Sequence, residues 1–167
     1  VHFLTMLVSF AESIVDSALT YWIQSTYWLW PILEITHFIG LTLLLGGLIV
    51  IDLRMAGFFR AIDPVTTHKI LPAVILGFVL NLITGILFFY GDPMRYSINI
   101  GFQIKMVLVL IAGVNAAVYH LKVDPILQNM DRSLASPVIA KLVAYTSLGA
   151  WTGVLLLGRL IPYLGTG

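Results

Sequence analysis

The chain has 167 residues, of which 59% are hydrophobic and only 10% are charged, with a mean hydropathy of +0.98 and a net charge of +1. Soluble domains carry about 25% charged residues, so this composition predicts one integral membrane domain and argues against nucleic acid as a partner. The chain has no cysteine, which excludes disulfides, iron–sulfur clusters and thiolate metal sites.

The first predicted element is an amphipathic helix over residues 8–24. Apolar and polar residues alternate there with helical spacing, and the segment is too polar to span a bilayer. We expect it to lie in the membrane interface, with a surface helix packed on a partner protein as the alternative. Residues 1–26 are thus predicted to form an interfacial unit and residues 27–167 a transmembrane domain. The opening stretch FLTMLVSFA follows no basic residues and is not interpreted as a signal peptide.

Four later segments are apolar enough to cross a bilayer, which takes about 20 residues. They cover approximately residues 28–51, 71–90, 102–121 and 138–161. Because the loops between them are short, the predicted fold class is an all-α membrane protein with an antiparallel bundle of four transmembrane helices. Prolines support these limits, with Pro31, Pro72 and Pro137 at or near helix starts and Pro93, Pro125 and Pro162 at or beyond helix ends.

The distribution of positive charge predicts how the spans are oriented. Lysine and arginine are concentrated around the first and third loops, whereas the second loop carries only Arg95. We therefore expect a multi-pass protein with the first and third loops in the cytoplasm and both termini on the outer side of the membrane. The basic residues behind this assignment are Arg54, Arg60, Lys69, Lys122, Arg132 and Lys141.

Ionisable residues within the spans are the candidate functional residues, because a charge at mid-bilayer costs roughly 2.5–3.5 kcal/mol. Glu34 and His37 lie about 9 and 14 Å below the outer edge of the first span, at about 1.5 Å per residue. Lys105 lies about 5 Å inside the third span, and its long stem extends its reach. The polar sector of the first span, which includes Glu34 and Asp52, is predicted to face the bundle interior. The three outer groups either neutralise one another or form a cofactor site or a proton path.

Histidine chemistry favours the cofactor interpretation, because imidazole is a common axial ligand of haem. His37 is the predicted ligand of haem b, and Lys105 would neutralise a propionate or hold a substrate carboxylate. Glu34 would orient the imidazole, as carboxylates do around metal-bound histidines. His68 and His120 lie at matching depth on the cytoplasmic side, where they either ligate a second haem or are interface residues without a function. Three histidines are too few for two bis-histidine haems.

Small residues predict where the spans touch one another. Gly77, Asn81 and Gly85 recur four residues apart on the second span, and Gly149 and Gly153 do so on the fourth. These positions are predicted to be helix contacts, and Asn81 is equally open to a functional role.

Three stretches resemble a broad group of small bacterial membrane proteins: HFIGLTLLLGGLIVIDLRMAG (37–57), LPAVILGFVLNLITGILFF (71–89) and NIGFQIKMVLVLIAGVNAAVYH (99–120). That group includes CopD-like proteins and a family of unknown function with H-x-x-G, D-L-R, T-G and F-x-x-K…N…H signposts. It is also distantly similar to the HemJ-like haem-binding protoporphyrinogen oxidases, in which a histidine of the first span and a lysine of the third are functionally important. The matching positions here are His37 and Lys105. The resemblance implies a haem-binding or redox-associated bundle.

The predicted function is therefore a haem b-binding membrane protein with a role in electron transfer or porphyrin-related redox chemistry. One alternative is a non-catalytic subunit of a larger redox or photosynthetic membrane complex, or a homo-oligomer, which would dock through the aromatic residues of 21–30. A second is a CopD-like metal transporter. The sequence contains no nucleophile constellation, phosphate loop or zinc-ligand spacing, and it leaves open whether the protein is an enzyme.

Overall fold

The computed structural model describes residues 2–59, 61–62, 64–128 and 137–164. Every regular element within these ranges is a helix, which confirms the predicted all-α class. Two of the basic residues used to predict orientation, Arg60 and Arg132, lie outside the described residues. The predicted boundary between residues 26 and 27 falls in the turn between the second and third helices.

The N-terminal segment forms two helices, α1 (His2–Ile14) and α2 (Ala18–Ser25), and the prediction of one continuous helix over 8–24 is wrong. The Ser17 side chain accepts a hydrogen bond from the Thr20 amide at 3.2 Å, and the Thr20 hydroxyl donates to the Ile14 carbonyl at 2.9 Å. Serine at this position satisfies a free amide at a helix start. The capping bond therefore marks the start of a second helix, although the apolar pattern of the sequence runs on without a break.

Four helices are long and apolar enough to cross a membrane, as the sequence predicts. The candidate spans are Leu29–Ala56, His68–Gly91, Ile100–Leu127 and Val138–Tyr163. The four long helices are α3 (Leu29–Ala56), α4 (Pro64–Gly91), α6 (Ile100–Val118) and α8 (Val138–Leu160), the last followed by a 3₁₀ turn (Ile161–Tyr163). The short helix α5 (Pro93–Ile98) lies between α4 and α6, and within the third span a π-helix (Tyr119–Val123) continues α6 into the short α7 (Asp124–Gln128).

Two prolines do not mark the boundaries that the sequence suggests. Pro72 lies inside α4 rather than near its start. Pro125 does not end the third span, because the helical chain continues through it in α7. A π-helix comes directly before it, and the Asp124 amide there donates to the Tyr119 carbonyl. A proline ring in a regular α-helix collides with the carbonyl four residues earlier. The wider π turn changes the spacing at that point, which accounts for the continuation.

The long helices pack in the order α4–α3–α8–α6. At the α3–α4 crossing, a Cβ added to Gly77 would lie 2.5 Å from the Gly40 carbonyl oxygen, so the two backbones touch. On the α6–α8 side, a Cβ added to Gly153 would lie 2.6 Å from Leu108 Cδ1. Gly85 and Gly149, which the sequence places on the same stripes, have nothing within 4 Å of an added Cβ. One glycine of each predicted stripe, Gly77 on α4 and Gly153 on α8, is therefore at a close contact.

The largest buried cluster lies at the end of the bundle where α3 and α6 finish. At the opposite end, Phe89 of α4 stacks on Phe102 of α6 with ring centroids 5.6 Å apart. Asn99 joins the start of α6 to the end of α8 through hydrogen bonds from its Nδ2 to the Ile161 carbonyl, at 2.9 Å, and to the Leu164 carbonyl. The main cluster consists of Leu44, Ile51, Met55, Ala56, Val74, Val123, Ala140, Val143 and Ala144.

Candidate functional site

The imidazole of His37 is held by a side chain of the neighbouring helix. His37 Nδ1 lies 2.6 Å from Thr84 Oγ1, and the same hydroxyl lies 2.6 Å from the Leu80 carbonyl oxygen. A threonine hydroxyl has one proton to donate. When that proton goes to Leu80, the remaining bond is made by a proton on Nδ1, so this arrangement selects the Nδ1–H tautomer. Nε2 then keeps its lone pair, which is the form of imidazole that ligates a metal.

The site lies beside the α3–α4 crossing and is enclosed by residues of α4. The Phe88 ring meets the His37 ring edge-on, with centroids 5.4 Å apart and an interplanar angle of 63°. Asn81 Nδ2 donates to the Gly77 carbonyl at 2.8 Å, while Asn81 Oδ1 is buried and has no hydrogen bond to any described residue. A Cβ added to Gly40 would lie 2.6 Å from Asn81 Nδ2. Glycine at the crossing therefore makes room for the polar side chains.

Lys105 extends from α6 into the same end of the bundle. Its side chain is partly buried and passes beside α8, where a Cβ added to Gly158 would lie 3.5 Å from Nζ. The ammonium group is near enough to act electrostatically on the His37 ring. Among the described residues, Lys105 forms no ion pair with a carboxylate. The structure thus places a cation and an imidazole on two different helices at the same end of the bundle.

Glu34 is turned away from this pair. It is exposed, and its Oε1 accepts a hydrogen bond from Trp30 Nε1, one helical turn earlier, at 3.2 Å. In the described ranges, no hydrogen bond joins Glu34 to His37 or Lys105. The sequence suggests that Glu34 orients the His37 ring, but in the structure the partner of His37 Nδ1 is Thr84. The only sequence signal for Thr84 is the T-G signpost within the second span.

The other two histidines belong to the opposite end of the bundle. His68 precedes Thr84 on α4 by 16 residues, or about 24 Å at 1.5 Å per residue. His68 Nε2 lies 3.6 Å from Asp124 Oδ1, and the His68 side chain is 46% exposed. His120 is exposed on the π-helix. The structure therefore does not bring either residue to His37, and the group that faces His68 is Asp124.

Within the part of the chain that the structure describes, no three histidine, aspartate or glutamate side chains converge as a metal-binding group. The His37 site offers one nitrogen donor, supported by a hydroxyl and accompanied by an amine. That set can ligate one axial position of a prosthetic group that supplies its own remaining ligands. It does not resemble a cage for a bare metal ion, which takes three or four protein ligands.

Asp52 is a second buried polar group, which sequence analysis places on the inward face of α3 without assigning it a role. It is 2% exposed, and its Oδ2 has no hydrogen bond to any described residue. Its carboxylate is bonded by the side chain of Ser147 on α8. Nothing in the local sequence identifies that partner, because Ser147 lies on a different helix.

Comparisons with known proteins give no relative of this chain. No family model matches it, and no curated protein or solved structure matches it either. The resemblance to CopD-like and HemJ-like proteins stays a prediction based on the quoted motifs, and a functional proposal rests on the residues and their geometry.

Proposed function

We propose that this protein binds one haem b through His37 and serves in electron transfer or porphyrin-related redox chemistry. The observation that carries the proposal is the hydrogen bond between His37 Nδ1 and Thr84, which leaves Nε2 free to act as a ligand. Axial histidines of metal sites characteristically donate their other ring nitrogen to a fixed acceptor. When bound, haem iron supplies a one-electron carrier whose potential depends on its ligand and surroundings.

The other side chains at this end of the bundle support the same assignment. The Lys105 ammonium group has no carboxylate partner among the described residues, so it is available to a haem propionate or to the carboxylate of a substrate. The edge of Phe88 limits rotation of the imidazole. Glu34, bonded to Trp30, lies at the exposed margin of the site rather than beside the ligand. The resemblance to HemJ-like proteins assigns importance to the same two positions, His37 and Lys105.

The proposal is confined to one haem. His68 and His120 stay a prediction for a second haem, and their common end of the bundle lies about 24 Å from Thr84 at 1.5 Å per residue. With Asp124 facing His68 at 3.6 Å, we infer that an ion pair competes with any ligand role of that histidine. The single imidazole at the His37 site would hold that haem, which would supply one-electron chemistry there.

We also propose that the four long helices form an antiparallel transmembrane bundle in the bacterial inner membrane, with both termini in the periplasm. The pairing of α3 with α4 supports this arrangement. Trp30 packs on Phe88, Gly40 on Gly77, and Gly47 faces Val74, so the partner number falls as the α3 number rises. The excess of lysine and arginine around the first and third loops supports the orientation.

An absorption spectrum tests the haem proposal. The protein purified from haem-replete cells should show a Soret band that shifts on reduction, and His37→Ala should abolish it. His120→Ala is the matched control, because it removes an exposed histidine at the other end of the bundle and should leave the band intact. A folded, colourless wild-type preparation that also fails to take up added haem would contradict the proposal.

A second candidate function is favoured by the surface of the N-terminal helices. Aromatic side chains there are strongly exposed, with Tyr21 at 74% and Tyr27 at 89%. We infer that these residues lie in the membrane interface or dock the protein as an accessory subunit of a larger complex. Copurification with a redox or photosynthetic complex, lost on replacing Tyr21 and Tyr27 by serine, would favour the accessory role. No observation on the described residues favours a metal transporter.

A further inference from the structure

Asp52 is 2% exposed and lies on the stretch of α3 that contributes to the main apolar cluster. Ile51, Met55 and Ala56, which belong to that cluster, are its neighbours along the helix. Val123, Ala140 and Ala144, contributed by the π-helix and α8, are 0% exposed. The hydrogen bond from Ser147 satisfies part of the carboxylate, but Oδ2 has no partner among the described residues. An ionised carboxylate with an unsatisfied oxygen is very costly in such surroundings.

Positive charge from the protein does not compensate Asp52 in the described ranges. The single ion pair found there joins His68 to Asp124. Arg54, two residues along α3, donates its Nε to the Ile62 carbonyl at 2.7 Å. Helix α4 contributes Ile70 and Val74 to the cluster, which are apolar. Since no described side chain pairs with Asp52, a small cation bound at the carboxylate itself would supply the compensating charge.

The ligand set distinguishes between the possible cations. Metal cations bound through oxygen take about six or more ligands, whereas Asp52 and Ser147 offer two carboxylate oxygens and one hydroxyl. The side chains of the surrounding cluster are apolar apart from Tyr119 and Trp151, so among the described residues they offer at most one further oxygen, and the backbone carbonyls belong to helices. A proton needs no coordination shell and no additional volume. It also converts Oδ2 from an unsatisfied acceptor into a neutral hydroxyl.

We propose that Asp52 is a proton-binding site buried within the bundle, with Ser147 as the hydrogen-bond partner that positions the carboxyl group. Tyr119, on the π-helix, packs against the same apolar cluster. The proposed site lies near the C-terminal end of α3, whereas His37 lies in the first half of that helix.

Infrared spectroscopy of the purified protein tests this site without reference to haem. A protonated carboxyl group has a carbonyl band that an ionised carboxylate lacks. The wild-type spectrum at neutral pH should contain such a band, and Asp52→Asn should remove it. Asp124→Asn is the matched control, because it changes an aspartate at the same end of the bundle that is paired with His68. Identical carboxyl regions in wild type and Asp52→Asn from pH 5 to pH 9 would overturn the proposal.

Ser147→Ala provides a second measurement that does not depend on the folding of the Asp52 variant. Loss of the hydroxyl should shift the carbonyl band of Asp52 to a different frequency, and an unshifted band would refute the positioning role and with it the proposed site. Exchanging potassium for sodium at constant ionic strength should leave the band unchanged. Disappearance of the band in sodium would show that a metal ion occupies the site and would likewise overturn the proposal. Gel-filtration profiles of each variant report its folding.

Discussion

At the scale of single residues, the function proposed here depends on a threonine hydroxyl. Thr84 donates to the carbonyl of Leu80 and is thereby left with lone pairs for the proton of His37 Nδ1. The hydroxyl fixes both the tautomer and the direction of the ring. In the proposed function, His37 would supply the ligand atom and Thr84 would make that atom Nε2.

Replacing Thr84 by valine removes this hydroxyl with little change of shape. Loss of the residue that orients a metal-bound histidine typically weakens binding by about 10–100-fold, so we expect haem affinity to fall by that factor in Thr84→Val. Titration of the haem-free protein with haem measures the effect. Thr84→Ser keeps the hydroxyl and should bind as the wild type does. Equal affinities for the valine and serine variants would show that Thr84 does not support the ligand.

Sequence reasoning located the candidate ligand but not its support. His37 and Lys105 stand out because an imidazole and an amine within apolar spans require a partner. Thr84 does not stand out, since a threonine in a transmembrane helix can satisfy itself by bonding to its own backbone. Its second bond depends on how α3 and α4 cross, and local sequence does not encode that geometry. The same holds for Ser147 and Asp52, which lie on different helices.

At the scale of elements, the α3–α4 crossing is set by contact of two backbones at Gly40 and Gly77. A methyl group at Gly77 would meet backbone atoms at 2.5 and 2.6 Å, and backbone cannot move aside as a flexible side chain does. We expect Gly77→Ala to destabilise the fold by about 1–3 kcal/mol, the usual cost of overpacking. Denaturant unfolding in detergent, followed by circular dichroism, gives the difference.

Gly85→Ala on the same helix is the control for that substitution. An added Cβ meets nothing within 4 Å at Gly85, and alanine favours helix by about 1 kcal/mol over glycine. Stability should therefore be unchanged or slightly increased. If Gly77→Ala proves as stable as Gly85→Ala, the close crossing of α3 and α4 is incorrect.

Element boundaries show what hydropathy can and cannot predict. The four long apolar segments follow from length and composition, and the structure confirms that each is a helix long enough to cross a membrane. The break at Ser17 and the continuation through Pro125 were missed, because each depends on hydrogen bonds of a few backbone groups. A serine or a proline in a sequence permits such local geometry without requiring it. The glycine stripes predict the helix contacts only in part for a similar reason, since a Cβ added to Gly85 or Gly149 would meet nothing within 4 Å.

At the scale of the whole molecule, the proposed orientation can be tested by labelling, because the natural chain has no cysteine. Ser25 and Lys122 are exposed near opposite ends of the bundle. In spheroplasts, a membrane-impermeant thiol reagent should label Ser25→Cys at once and Lys122→Cys only after the membrane is broken. The reverse pattern would place the termini in the cytoplasm, and labelling of both would contradict a transmembrane bundle.

Helix α6 is attached to the rest of the bundle mainly along the flank that faces α8. Leu108 packs against Gly153 there, and Asn115 Nδ2 donates to the Val143 carbonyl at 3.0 Å. A helix that packs against its neighbours along one side can tilt about that contact as a rigid body. Lys105 and Tyr119 sit near its two ends, about 21 Å apart at 1.5 Å per residue. A displacement that follows ligand capture beside His37 would therefore be transmitted mechanically to the surroundings of Asp52.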